Sequence, residues 1–419
     1  MFNPKNGFYF LLWFTFCFLL LPGGVSGDDN IAFDGEINVL GLAYPEKEIT
    51  KHDEYFEILF VPEFTITPSD NILVKTRLEV RMDTENFAHG YIDDLVDAEH
   101  RWAVNVKDLY VETWKSFFTI KVGKQIFDWS VTDTISPCDN LNARDWTDIV
   151  EFEKVGIPAI NLRCGFDTYI EAVYAPWFTV SKLPDSGNRW YPTLPEGVVL
   201  KEQPDADKHQ GNVAFRAGIM MSNFDVTATF FHGYGFSPSF QLDMISTAEF
   251  VLVPTYRIED VYAVSIAHEF FECNFRGEVG YFDQEKNDDF FQYVIGIDRE
   301  WNALFSEIDS FYFLIQYMDE TVTNHNNPLP FETIDFRRIL SDSIAWKSKY
   351  CFENDGWAIQ LEGTYNFSEY DSYVEPAVLF TYGNLTTKVG VGVLSGPKDS
   401  FWGAYDDNDR FFLKFNWQY

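Results

Sequence analysis

The sequence predicts an all-β protein, a transmembrane antiparallel up-and-down β-barrel of about 18 strands (16–18), following an N-terminal signal peptide. Three observations carry this. Apolar and polar residues alternate strictly over segments of about 9–12 residues. Aromatics make up 18% of the chain, with 42 Phe, 22 Tyr and 12 Trp. Tight turns alternate with long acidic connections, as on the two rims of a membrane barrel.

The N-terminus has Lys5, an apolar run from Phe8 to Leu21, and then Pro22-Gly23-Gly24 and the small residues Val25-Ser26-Gly27. A basic start, a short apolar stretch and a small-residue site form the layout of a secretory signal over 1–27. The run is shorter than the roughly 18–20 residues of a spanning helix. From residue 28 to 419 no Pro- or Ser-rich linker divides the chain, and it reads as one barrel.

In "ILVKTRLEVRMD", Ile72, Val74, Leu78, Val80 and Met82 oppose Lys75, Arg77, Glu79, Arg81 and Asp83. From Trp357, Ile359, Leu361, Tyr365 and Phe367 share one face; from Leu385, Val389, Val391 and Val393 do the same. Strands of soluble sandwiches are usually nearer five or six residues, whereas a tilted spanning strand needs about 9–11. Aromatics near strand ends (Trp102, Trp357, Tyr373, Tyr382, Trp417, Tyr419) suit girdles at two membrane–water interfaces. The long outer connections are 129–156, 178–209 and 235–258. Strand parity requires every tight turn on one rim. Counting 246–257 as a spanning strand breaks that rule, so it belongs to an outer loop. The final alternation, Leu413, Phe415, Trp417 and Tyr419, ends on an aromatic. Phe415, Trp417 and Tyr419 resemble the C-terminal signal read by the barrel-insertion machinery.

Between Lys107 and Pro158, Gly123-Lys124-Gln125, Trp129, Asp133, Asn142, Asp145 and Ile157-Pro158 stand in a characteristic order. Arg276, Gly277, Glu278 and Tyr281 follow in "NFRGEVGYF". This pattern resembles an uncharacterised family of proteobacterial porin-like outer-membrane barrels, related in style to alginate-export and phosphate-selective porins. Ser130 and Ala143 depart from the family's usual Gly and Pro. The resemblance implies a barrel fold and an outer-membrane location in a Gram-negative bacterium, and says little about substrate.

Alternation places Lys75, Arg77, Glu79, Arg81, Lys121, Arg163, Glu171, Arg216, Glu362, Lys388 and Lys414 on the lumen wall. Charge belongs there, since Lys or Arg at the lipid midplane costs about 2–4 kcal/mol. Two readings stand side by side: a basic ladder that sorts solutes by charge, or a mutually neutralising network. Loop 129–156 also has two readings. It either folds inward and narrows the pore with Trp129, Asp133, Asp139, Asn142, Arg144 and Asp145, or packs on the rim through Trp129 and Trp146.

A formal net charge of -34 argues against nucleic-acid binding. No catalytic or metal motif occurs; "AHEFFE" lacks the second His of a zinc site, and His268 falls on the lipid side. The expectation is therefore a non-enzymatic porin-like channel without cofactor, for passive transport of hydrophilic solutes or export of an oligomer or polymer. The alternative is a plugged barrel that binds a surface polymer or scaffolds a partner. Expected partners are outer-membrane lipid and lipopolysaccharide, the insertion machinery and small hydrophilic solutes. No residue pattern marks an oligomer interface, and the spacing of Cys138, Cys164, Cys273 and Cys351 assigns no pairs.

Overall fold

The computed structural model describes residues 30–45, 53–84, 104–184, 188–192, 198–201, 209–246, 249–285, 287–325, 338, 340–352 and 356–419. The signal segment 1–27, Trp102 and parts of 178–209 lie outside these. In chain order the strands begin β1 (Ile31–Ala43), β2 (Glu54–Ser69), β3 (Ile72–Asp83), β4 (Val104–Lys115) and β5 (Phe118–Gln125). Next come β6 (Arg144–Asp145), β7 (Glu153–Lys154), β8 (Ile157–Gly165), β9 (Thr168–Ala175), β10 (Val198–Leu200), β11 (Asn212–Met221) and β12 (Phe224–Tyr234). Then follow β13 (Ser239–Ser246), β14 (Glu249–Thr255), β15 (Ile258–Phe270), β16 (Cys273–Gln284), β17 (Asp289–Asn302) and β18 (Ser310–Asn324). The last are β19 (Ser343–Phe352), β20 (Trp357–Asn366), β21 (Ser372–Tyr382), β22 (Leu385–Ser395) and β23 (Arg410–Gln418).

Eighteen of these strands form one antiparallel sheet, and β1 pairs with both β2 and β23, so the sheet closes on itself. Closure leaves no open edge, the condition for a sheet in lipid. Residues 246–257 do not span: β14 lies with β10 and β13 in a separate three-stranded sheet within the outer connections. The parity argument therefore selects the right strand to exclude.

Alternation sets the two faces. Phe215, Ile219, Val264, Ile266, Val279, Ile295, Ile359, Val378 and Val389 point outward and are exposed. An apolar belt running round a closed sheet is a lipid-facing surface. Their neighbours point inward, and a core forms there rather than outside. In one cluster Phe127, Trp129 and Leu141 of the β5–β8 connection pack on Val173, Ala214, Phe231, Val261, Phe282 and Phe290 of the wall. In a second, Ile135 and Ile149 pack with Val294, Met318, Tyr373 and Leu394. Tyr373 corrects the girdle expectation: it faces the lumen, buried against Trp402 at 5.4 Å, because it shares parity with Glu375 and Ala377. Among the described residues Cys138, Cys164, Cys273 and Cys351 form no disulfide.

The seam is closed by aromatics on the lipid side. Tyr419 lies 5.5 Å from Phe33, 6.1 Å from Phe60 and 5.6 Å from Trp417 between ring centroids. Its backbone N–H donates to the Gly35 carbonyl at 3.1 Å. A methyl group on Gly35 would meet the Tyr419 hydroxyl and, at 2.5 Å, the Val61 carbonyl. Gly35→Ala is therefore expected to strain the seam by about 1–3 kcal/mol, read as a lower unfolding midpoint in detergent. An unchanged midpoint would show that Tyr419 does not need this close approach.

Candidate functional site

The site is the lumen and the connection that enters it. Residues 126–156 leave β5, reach the middle of the opposite wall and return to β8. Their course is fixed by polar anchors. Glu278, at mid-height on β16, is buried and accepts from the Val131 N–H at 2.6 Å, the Thr132 N–H at 3.1 Å and the Ser130 hydroxyl at 3.1 Å. It also accepts from the Thr132 and Ser136 hydroxyls and, at 3.4 Å, from the Cys138 N–H. A buried carboxylate tolerates its site only when its lone pairs are satisfied, and this stretch supplies donors to both oxygens. Beside it Arg276 bridges Asp133 at 3.1 Å and Asp298 at 2.8 Å, and Gln316 donates to Asp133 at 3.1 Å.

Asn142 holds the root of the loop. It accepts from the Phe127 N–H at 2.7 Å and donates to the Val155 carbonyl at 2.8 Å and the Gln125 carbonyl at 3.3 Å. Gln125 donates in turn to the Ala159 carbonyl at 2.8 Å. Gly123 has φ +135°, a conformation that L side chains rarely adopt,. Of the residues quoted for the porin-like resemblance, Gln125, Asp133, Asn142, Arg276 and Glu278 take part in these anchors, whereas Tyr281 faces outward beside Phe291 and Asp145 pairs with Lys182.

The loop's other edge is charged. Asp139 bridges Arg144 at 3.0 Å and Lys154 at 2.6 Å. Asp145 faces Lys182 at 3.7 Å, Asp148 faces Arg410 at 3.0 Å, and Glu151 pairs with Lys414 and, at 3.6 Å, with Arg410. Glu153 reaches Lys107 at 3.2 Å. Trp146 is buried against Phe152 and Phe236, and Trp129 lies in the first core cluster.

The wall residues named from sequence all face inward, most of them in pairs. Lys75 meets Glu63 at 2.6 Å, Arg77 meets Asp108, Arg81 meets Glu57 at 2.5 Å, and Glu79 meets Lys107 at 3.0 Å. Lys121 meets Glu112 at 3.4 Å, and Lys388 holds Glu362 at 2.8 Å and Glu375 at 2.5 Å. Glu171 accepts from Asn161 at 2.7 Å. Arg163 and Arg216 lie on aromatic rings instead. Sequence reasoning missed Arg410, and it named Arg276 and Glu278 for the porin-like resemblance without placing them on the lumen wall. Parity finds Arg410, which shares the inward face of Lys414 four residues later, and Arg276 and Glu278 share theirs with Gly280 and Phe282.

Among the described residues a cleft lies between loop and wall on the β1–β3 side. It holds about 100 Å³ and is lined by Tyr44, Tyr55, Glu57 and Arg81 on one side and by Asp148 and Glu151 on the other. Elsewhere the loop meets the wall through the two apolar clusters and through its anchors at Glu278 and Arg276. Partial desolvation inside the lumen works to raise the Glu151 carboxyl, which is still 40% exposed, but Lys414 and Arg410 beside it hold it below the usual carboxylate range. A depressed folded-state value means the stabilisation is complete above the ordinary carboxylate value and is lost as pH falls through the lower one. The unfolding midpoint is thus expected to be flat from about pH 8 to 5 and to fall below about pH 4. Glu151→Gln should shrink that acid loss; an identical acid limb would disprove the assignment.

A closed antiparallel barrel with a lipid-facing apolar belt and a polar, loop-filled lumen is an integral outer-membrane protein of a Gram-negative bacterium. Among solved structures the chain is similar to OmpT, an outer membrane protein of Vibrio cholerae, folded in vitro. The identity is 9%, covering 95% of this chain and 100% of that one, with a TM-score of 0.47. It is similar too to a triple mutant of Rhodopseudomonas blastica porin, at 9% identity over 93% of this chain and 100% of that one, with a TM-score of 0.45. No family model and no curated protein matches the sequence.

Proposed function

We propose that the protein is a passive, non-enzymatic channel for small hydrophilic solutes, narrowed by the 126–156 loop. The observation that supports this reading best is the polar cleft between the loop's charged edge and β1–β3. Below it, towards the rim of short turns, the Lys75–Glu63 and Lys121–Glu112 side chains are about a quarter exposed (27%/24% and 28%/26%), so the lower lumen is wet. Nearly every charge along this route has a counter-charge, which favours weak selection by sign, and the cleft's size favours small solutes over an exported polymer. In the same reading Phe415, Trp417 and Tyr419 serve the insertion machinery, and the outer rim meets lipopolysaccharide.

The apolar seal elsewhere favours a second reading, a plugged barrel that binds or scaffolds at the surface. Planar-bilayer recordings of the full-length protein separate the two. Discrete steps in potassium chloride are expected; no current above background in several salts would sink the channel.

A further inference from the structure

Two cations of the lumen wall lack the partners that most of the others have. Arg163 on β8 and Arg216 on β11 form no ion pair and donate no hydrogen bond to any described residue. Arg216 Nε is buried without a partner. Their neighbour Glu171 is opposite both in register, yet its described hydrogen bond goes to Asn161. The guanidinium carbon of Arg163 lies 3.9 Å from the centroid of the Tyr169 ring. That of Arg216 lies 5.7 Å from Tyr169 and 5.7 Å from Trp129. Gly218 admits the Tyr169 ring, since a Cβ there would come within 2.6 Å of it.

These four side chains form a flight of steps from the rim of short turns, where the β8–β9 turn lies, up to the root of the inserted loop. Two like charges against one ring repel each other, and a buried N–H without an acceptor costs free energy. Stacking on aromatic faces fixes each guanidinium plane while leaving its edge donors free. That is the arrangement that receives a planar or tetrahedral oxyanion through paired N–H···O contacts.

We propose that Arg163 and Arg216, shelved on Tyr169 and Trp129, form a binding step for an oxyanion, carboxylate or phosphate, on the periplasm-facing side of the loop. This deepens the channel reading by naming a solute class. The binding itself does not depend on conduction, so the two can fail separately.

The test is calorimetric titration of the full-length protein in detergent with sodium phosphate and, separately, sodium acetate, against chloride. Saturable binding of at least one of them is expected, with the stronger of the two giving the source chemistry. In R163Q/R216Q it should weaken by at least about tenfold. If that variant does not fold, R163K/R216K takes its place. It keeps the charge and removes the fork, and should weaken binding by about threefold or more. No saturable binding to the intact protein, or undiminished binding in the folded variant, overturns the proposal. Binding without bilayer current would leave this site standing and remove the channel reading.

Discussion

A barrel lacking residues 134–148 is expected to carry roughly three to ten times the single-channel current of the intact protein, because an 18-stranded wall encloses far more than a side-chain-filled core. The deletion removes Ile135 and Leu141, which seal the loop against two sides of the wall, and Ser136, Cys138 and Asn142, which hold it at Glu278 and at its root. It leaves the eighteen-stranded closure untouched. A milder variant tests the same cause: Glu278→Ala takes the shared acceptor from Val131, Thr132 and Ser136 at once, and should give larger or noisier steps. If the intact protein is silent and the deletion conducts, the loop is a plug. If both conduct equally, the loop does not narrow the path.

The sequence could show the barrel because its physics is local. A strand with lipid on one side and charge on the other must alternate, and one residue of slip would reverse every side chain. Lys75, Arg77, Glu79 and Arg81 were legible for that reason, and so was the exclusion of 246–257, which violates rim parity. What alternation cannot show is contact across the lumen. The donors of residues 130–138 and the carboxylate of Glu278 are about 145 positions apart, and only closure of the sheet brings them together. Tyr373 shows the opposite error. Its aromatic character at a strand end suggested a girdle, whereas its parity with Glu375, whose carboxylate its hydroxyl contacts, placed it inside. Where residue type and register disagree in a barrel, register decides.

Arg410 is the position where a single change should cost most. Its side chain is 1% exposed, 3.0 Å from Asp148 and 3.6 Å from Glu151, with the Trp190 ring 5.8 Å away. Arg410→Ala leaves a void under Trp190 and strands the Asp148 carboxylate, while Glu151 keeps Lys414; the loss is about 3–5 kcal/mol. The exposed pair Lys398–Asp406 at 2.6 Å, with Lys398 68% exposed, sets the comparison: Lys398→Ala should cost at most about 1 kcal/mol. The cause is separable from packing alone. Arg410→Met keeps most of the volume but not the charge, so it should still lose much of that stability. Adding Asp148→Asn to it removes the stranded charge and should restore most of the loss, since replacing a whole buried ion pair is often neutral. Unfolding in urea with the barrel in detergent measures all four. If the double variant is no more stable than Arg410→Met, the penalty is a cavity and not a stranded charge, and the loop is held inward by its apolar faces rather than by β23.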